Sequence, residues 1–216
     1  MPHLLETLVP SVHLTKPPPH ATHPSLTSAI SSLLLHPTLE ATLHLLNADL
    51  PSAHFLVRHM QAPPAIEGML LHSILHRSEG DMPNARAWVS DVLDASDGWV
   101  PKHKGDQRLD FNVVQEIKGK AAGGVRFVEF VYGKEKGAAE RLIDDVEKFR
   151  KERGKEGEAE LEGRIHVELE RVLEWCKKKF GEGKWVDASG AWVKHSEEVR
   201  KKGEDMVSGG NGLRDF

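Results

Sequence analysis

The chain has 216 residues, 39% of them hydrophobic, and a formal net charge of −4. That length and hydrophobicity support one domain with a sizeable core, while so mild a charge gives no reason to expect nucleic acid or an anionic membrane as a partner. A single cysteine, Cys176, rules out an intrachain disulfide and suits a reducing compartment.

The first two dozen residues lack the basic start and apolar core of a signal peptide, and no apolar run approaches the roughly 20 residues of a membrane span. The expectation is a cytoplasmic protein with no membrane partner. Residues 1–24 read as an extended, disordered segment, with Lys16 to Pro19 an extended connector because each proline restricts the residue before it. Order is expected from Ser25 or Thr27, in a helix through Ala29, Ile30, Leu33 and Leu34 that His36 and Pro37 end. A second helix spans Thr38 to Leu46. Asp49 caps a third, carrying His54, Phe55, Arg58 and His59, which Pro63 and Pro64 stop.

The central helix holds Met69, Leu70, Leu71, Ile74 and Leu75 at helical spacing, and Gly80 stands where it would end. Asp81 can then accept hydrogen bonds from the first free amides of the next helix, with Pro83 in its first turn, where a missing N–H costs little. Ala85, Trp88, Val89 and Val92 form one face of that helix and should pack on Leu71 and Leu75.

Asp49 to Val57 repeats as Asp81 to Val89, an offset of about 32 residues, and Leu39, Leu43 and His44 fall on Leu71, Leu75 and His76. A recurrence of this length marks helical hairpins whose apolar faces only a neighbour can cover. Residues 38–93 therefore resemble two tetratricopeptide hairpins, although the Trp and Tyr of that consensus are absent from the first helix.

Residues 95–106 read as a loop, with Trp99, Lys102, His103 and Lys104 as its notable side chains. Val125 to Tyr132 is rich in β-branched and aromatic residues, but it has no partner strand, so it is expected to be a buried helix. Two charged amphipathic helices follow. One carries the stripe Ala138, Leu142, Ile143, Val146 and Phe149; the other carries Leu161, Ile165, Leu169, Val172, Cys176 and Phe180, beyond a polar turn at 151–157. Trp185, Trp192 and Val199 are expected to anchor a final helix, and 207–216 to be a disordered tail. The expectation is an all-α chain: one domain over 25–206, made of hairpin repeats to about 95, a loop and buried segment over 96–135, and charged helices from 136.

Histidine content makes metal the first chemical question. His72 and His76, one turn apart on one helix face, suit two imidazoles on one ion, with zinc, iron or manganese as the candidates. Further donors would come from His54, His59, Glu79 or Asp81. Ser73 stands where the metalloprotease helix requires a glutamate, so that pattern's general base is missing. The alternative is packing: His76 recurs as His44, and its imidazole can bond Glu79 or Asp81 and fasten the hairpin, whereas His72 replaces Glu40. Arg77, whose counterpart is Leu45, reads as either a structural ion pair or an anion clamp. The lysines at 177–179 and 201–202 are interleaved with acids and offer no nucleic-acid surface.

Leu71-His72, Leu75-His76-Arg77, Glu79-Gly80-Asp81, Asn84-Ala85 and Trp88 together are similar to a motif in a poorly characterised group of bacterial and fungal proteins. In that group, a helix ending in His-Arg precedes an acidic turn and an Asn-Ala pair. The similarity spans roughly His36 to Trp99, with a weaker echo at Phe127 to Tyr132. It implies a helical hairpin whose distinctive part is His72 to Asn84, and it assigns no catalytic role. Two functions follow as expectations: a protein-interaction scaffold with a protein partner, or a hydrolase-like metal enzyme built on His72 and His76.

Overall fold

Two turns built alike set the architecture. At each, an aspartate leads into the next helix and takes the amide of the residue three positions on: Asp49 Oδ1 accepts from Ser52 N at 3.3 Å and Asp81 Oδ1 from Asn84 N at 3.2 Å. Each aspartate N–H also donates back to the histidine carbonyl five residues earlier, to His44 and to His76, both at 2.8 Å. The residue between is left-handed in both, Ala48 at φ 53° and Gly80 at φ 101°.

The computed structural model describes residues 2–9, 12–118, 124–152 and 156–193. These contain ten α-helices and no strand, only an isolated antiparallel bridge between Trp99 and Arg108. The helices are α1 (Pro2–Leu8), α2 (Leu26–Ser31), α3 (Pro37–Leu46), α4 (Leu50–Val57), α5 (Ile66–Glu79), α6 (Met82–Ser96), α7 (Phe111–Lys118), α8 (Phe127–Tyr132), α9 (Ala138–Lys151) and α10 (Glu158–Phe180). α3 packs on α4, α5 packs on α6, and the two pairs meet through α4 and α5. Leu39, Leu43, Leu71 and Leu75 are fully buried in this seam. None of the helices is long and apolar enough to cross a membrane.

The 23-residue α10 runs antiparallel to α5. Its Glu168 meets Arg77 near the end of α5, and Trp175 and Lys179 meet Glu67 near the start. The two contacts lie about 15 Å apart along α5, and their partners lie between about 10 and 17 Å apart along α10. Of Val125 to Tyr132, only Phe127–Tyr132 is helical; Phe127 and Val131 face the core beside α10, while Val125 is exposed ahead of the helix.

Gly68 marks the tightest approach. A Cβ there would lie 2.3 Å from Met60 Cβ and 3.0 Å from the Met60 carbonyl. Gly68→Ala is therefore expected to destabilise by about 1–3 kcal/mol through overpacking, although alanine is the better helix former by about 1 kcal/mol. Chemical denaturation checks this, and a stabilised variant would show that α5 and Met60 separate freely.

The N-terminal expectation needs correction. Within 1–24, Pro2–Leu8 is helical, and Leu8, Val12, Leu14 and Thr15 are buried. Glu162 of α10 accepts from Leu14 N at 3.2 Å, Thr15 N at 3.1 Å and Thr15 Oγ1 at 2.6 Å. Arg150 of α9 donates to the carbonyls of Leu14 and Thr15, and also to those of Arg77 and Ser78 at the end of α5. The backbone of Leu14 and Thr15 is thus satisfied by side chains.

Three boundaries also shift. α2 stops at Ser31, short of Leu33 and Leu34, with Leu34 left-handed at φ 51°. α4 stops at Val57, which leaves Arg58 and His59 beyond it. Trp185 and Trp192 sit in an irregular segment with one 3₁₀ turn, Ser189–Ala191, because glycines at 181, 183 and 190 interrupt the pattern. Val199 and 207–216 lie outside the described residues.

Candidate metal centre

α4 contributes His54, and α5 contributes His72 and His76, where α4 and α5 pack. Their ring centroids form a nearly equilateral triangle: 5.4 Å from His54 to His72, 5.6 Å from His54 to His76 and 5.7 Å from His72 to His76. One nitrogen from each lies within 4.8 Å of the others. Three imidazoles on a tetrahedral zinc, with Zn–N near 2.05 Å, have centroids about 5 Å apart and donor atoms about 3.3 Å apart. The ring centroids are therefore spaced close to what a shared ion requires.

Each ring is held differently. His72 is 2% exposed, lies flat on Trp88 of α6 at 4.5 Å and 4°, and keeps a buried Nδ1 with no hydrogen-bond partner. Burial, followed by the charges of His54 and His76, pushes its pKa down to about 3, so it is a neutral donor at ordinary pH. Glu79, the last residue of α5, reaches His54 Nδ1 at 3.5 Å and His76 Nδ1 at 3.4 Å. A carboxylate on two imidazoles supplies one negative charge to offset a dication. Asp81 stands 3.9 Å from His76, and its carboxyl is held below the usual range by the Asn84 side chain, which donates at 2.6 Å.

The first hairpin shows what is generic and what is not. His44 Nδ1 lies 3.3 Å from Asp49, as His76 does near Asp81, and its Nε2 lies 3.8 Å from Glu40 and 3.4 Å from Ser31 Oγ. A histidine at the end of one helix facing the aspartate that starts the next is common to both units. Where the first unit has Glu40, the second has His72, and this substitution turns an ion pair into a cluster of imidazoles.

Two sequence candidates fall elsewhere. His59 lies against Trp192, with ring centroids 4.9 Å apart, and takes Arg58 Nε at 3.1 Å, so it is not part of the triad. Arg77 points into the core, as Leu45 does in the first unit, and its guanidinium is fork-bonded to Glu168, not Glu79; one arm is 2.9 Å. It is no anion clamp, because its partner already fills the fork. Tyr132 Oη also donates to Glu168, at 2.5 Å. Burial opposes the Arg77 charge, but Glu168 outweighs it and holds the guanidinium above its usual pKa. Cys176 is fully buried, and burial pushes its thiol well up, as expected of a core residue.

Comparisons with protein families, with curated proteins and with solved structures find no match.

Proposed function

We propose that the protein binds a divalent metal, zinc foremost, through His54, His72 and His76, with Glu79 as the charge-balancing carboxylate. The observation that carries this reading is the nearly equilateral triangle of three imidazoles from two helices, one nitrogen of each within 4.8 Å of the others, with His72 at its buried corner. Three histidines leave one position of a tetrahedron open, and the half-exposed His54 and Glu79 put that position at solvent. A metal held by these three histidines would activate water for hydrolysis, with Glu79 orienting two of its imidazoles, and hydrolysis is the reaction class the site suits.

Elemental analysis of protein purified without chelator should find about one zinc, iron or manganese per chain. His72→Ala and His54→Ala should lose it, and His59→Ala should keep it. Stripping the metal should lower the melting temperature, since an ion bound only by the folded state stabilises by about 4 kcal/mol at a thousandfold excess over Kd. If no metal co-purifies and chelator leaves the melting temperature unchanged, the reading fails.

A protein-interaction scaffold is the second reading, favoured by the side-by-side hairpins and by Phe55, which is 56% exposed on α4 with the Arg58 guanidinium 4.1 Å over its ring. Amphipathic partner helices use aromatic surfaces of this kind. Recovery of a stoichiometric partner that Phe55→Ala releases would support it.

A further inference from the structure

The segment after α10 folds back over the starts of α3 and α5. It is fastened at two backbone points, Trp185 N to Leu34 O at 2.6 Å and Val193 N to His59 O at 3.0 Å. Beneath it lies a cavity of about 340 Å³ walled by His36, Phe180, Trp185 and Trp192 and floored by Glu67 and Lys179. This is within the size range of small-molecule sites, and an aromatic wall with a few convergent polar groups is their usual composition. The cavity shares no residue with the three-histidine centre.

The floor is unusual for a core. Glu67 is 1% exposed, and its Oε1 accepts from both Trp175 Nε1 and Lys179 Nζ at 2.8 Å. Both donors converge on one oxygen, and no described residue donates to Oε2. An ion pair withdrawn from water is costly unless its remaining lone pairs are satisfied, so a free acceptor on the wall of a cavity points to a ligand that donates. The His36 ring is stacked on Phe180 at 3.6 Å with the edge of Trp185 at 4.4 Å. Burial and then the Lys179 charge keep it neutral, with a pKa of about 3. Glu116 of α7, an exposed residue, also lines the space, so the lining holds two carboxylates and one ammonium, a net negative charge.

We propose that this cavity binds a small organic amine with a flat apolar body, its ammonium on Glu67 Oε2 and its body against Trp185 and Trp192. Aromatic faces attract a cation, and they attract it more strongly once it is desolvated. The acid on the floor selects amines over carboxylates of the same shape.

The test compares 2-phenylethylamine with phenylacetate, two probes of the same body and opposite charge, by titration calorimetry on the full chain. The amine should bind saturably and about tenfold or more tighter than the acid, and Trp185→Ala should weaken it about tenfold. Trp185 is only half-buried, so this variant should fold, and an unchanged far-UV spectrum checks that. Glu67→Gln, which keeps the side-chain shape, should abolish the preference for the amine. Equal or tighter binding of phenylacetate, no saturation by either probe at millimolar concentration, or undiminished amine binding in a folded Trp185→Ala protein would each overturn the proposal.

Discussion

Arg77→Ala is expected to cost about 3–5 kcal/mol of unfolding free energy, because it leaves Glu168 and the Tyr132 hydroxyl buried around an uncompensated charge. Arg77 is 1% exposed and Glu168 2%. The pair joins α5 to α10 across 91 residues of sequence, at the opposite end of α5 from Glu67 and its contacts with Trp175 and Lys179. For a domain of this size, such a loss corresponds to a fall of roughly 10 °C in Tm. The charge alone is not what stabilises. A buried pair can be replaced by apolar groups of similar volume at little cost, so Arg77→Met with Glu168→Leu should recover most of what Arg77→Ala loses. Equilibrium denaturation of the single variants and the double variant gives the coupling energy directly. A single-variant loss below about 1 kcal/mol would mean that water reaches Glu168 and the pair is not buried in solution.

The same pair shows where the sequence could be read and where it could not. The hairpins were legible because their signals are local: Asp49 and Asp81 as caps, Gly80 as a stop, and leucines at helical spacing. The metal candidates His72 and His76 were legible for the same reason, since residues four apart on a helix must share a face. That His54 joins them and His59 does not depends on where α4 ends, and helix ends are fixed by packing more than by propensity. The partner of Arg77 was not legible from position 77. It was hinted at on α10, where Glu162 and Glu168 fall on the apolar face beside Ile165 and Leu169. An acid in an apolar stripe implies a buried donor somewhere, and here the donors are Arg77 and the Leu14–Thr15 segment. The order of that segment escapes the sequence because it comes from Glu162 and Arg150, far along the chain, and nothing in residues 12–15 alone announces it.

Metal-free protein should lose stability steeply as pH falls from 6.5. His36 and His72 are both 3% exposed or less in the folded chain, with pKa values pushed down to about 3, His36 by burial and then the Lys179 charge, and His72 by burial and then its neighbouring imidazoles. The ordinary value of a histidine is 6.5, so below that pH the unfolded chain takes up a proton that the folded chain refuses. Acid therefore favours unfolding. Above pH 6.5 neither state holds the proton and the two groups contribute no pH dependence. Between 6.5 and 3 each lowers the unfolding free energy by up to about 1.4 kcal/mol per pH unit. By pH 5 the two remove about 4 kcal/mol, a large share of the 5–15 kcal/mol typical of a domain. The His36 ring also caps α3: its Nδ1 accepts from Thr38 N at 3.3 Å, and a protonated ring can no longer accept. His36→Asn keeps an acceptor at that cap. It should lower stability at pH 7 through lost stacking on Phe180, yet roughly halve the slope between pH 6.5 and 5, a window chosen because most carboxylates are still ionised. Urea midpoints at half-unit intervals, with chelator present, measure both quantities. A flat profile across that window would mean that the two imidazoles are hydrated and protonate in place, and the aromatic cavity beside His36 would then be open to water.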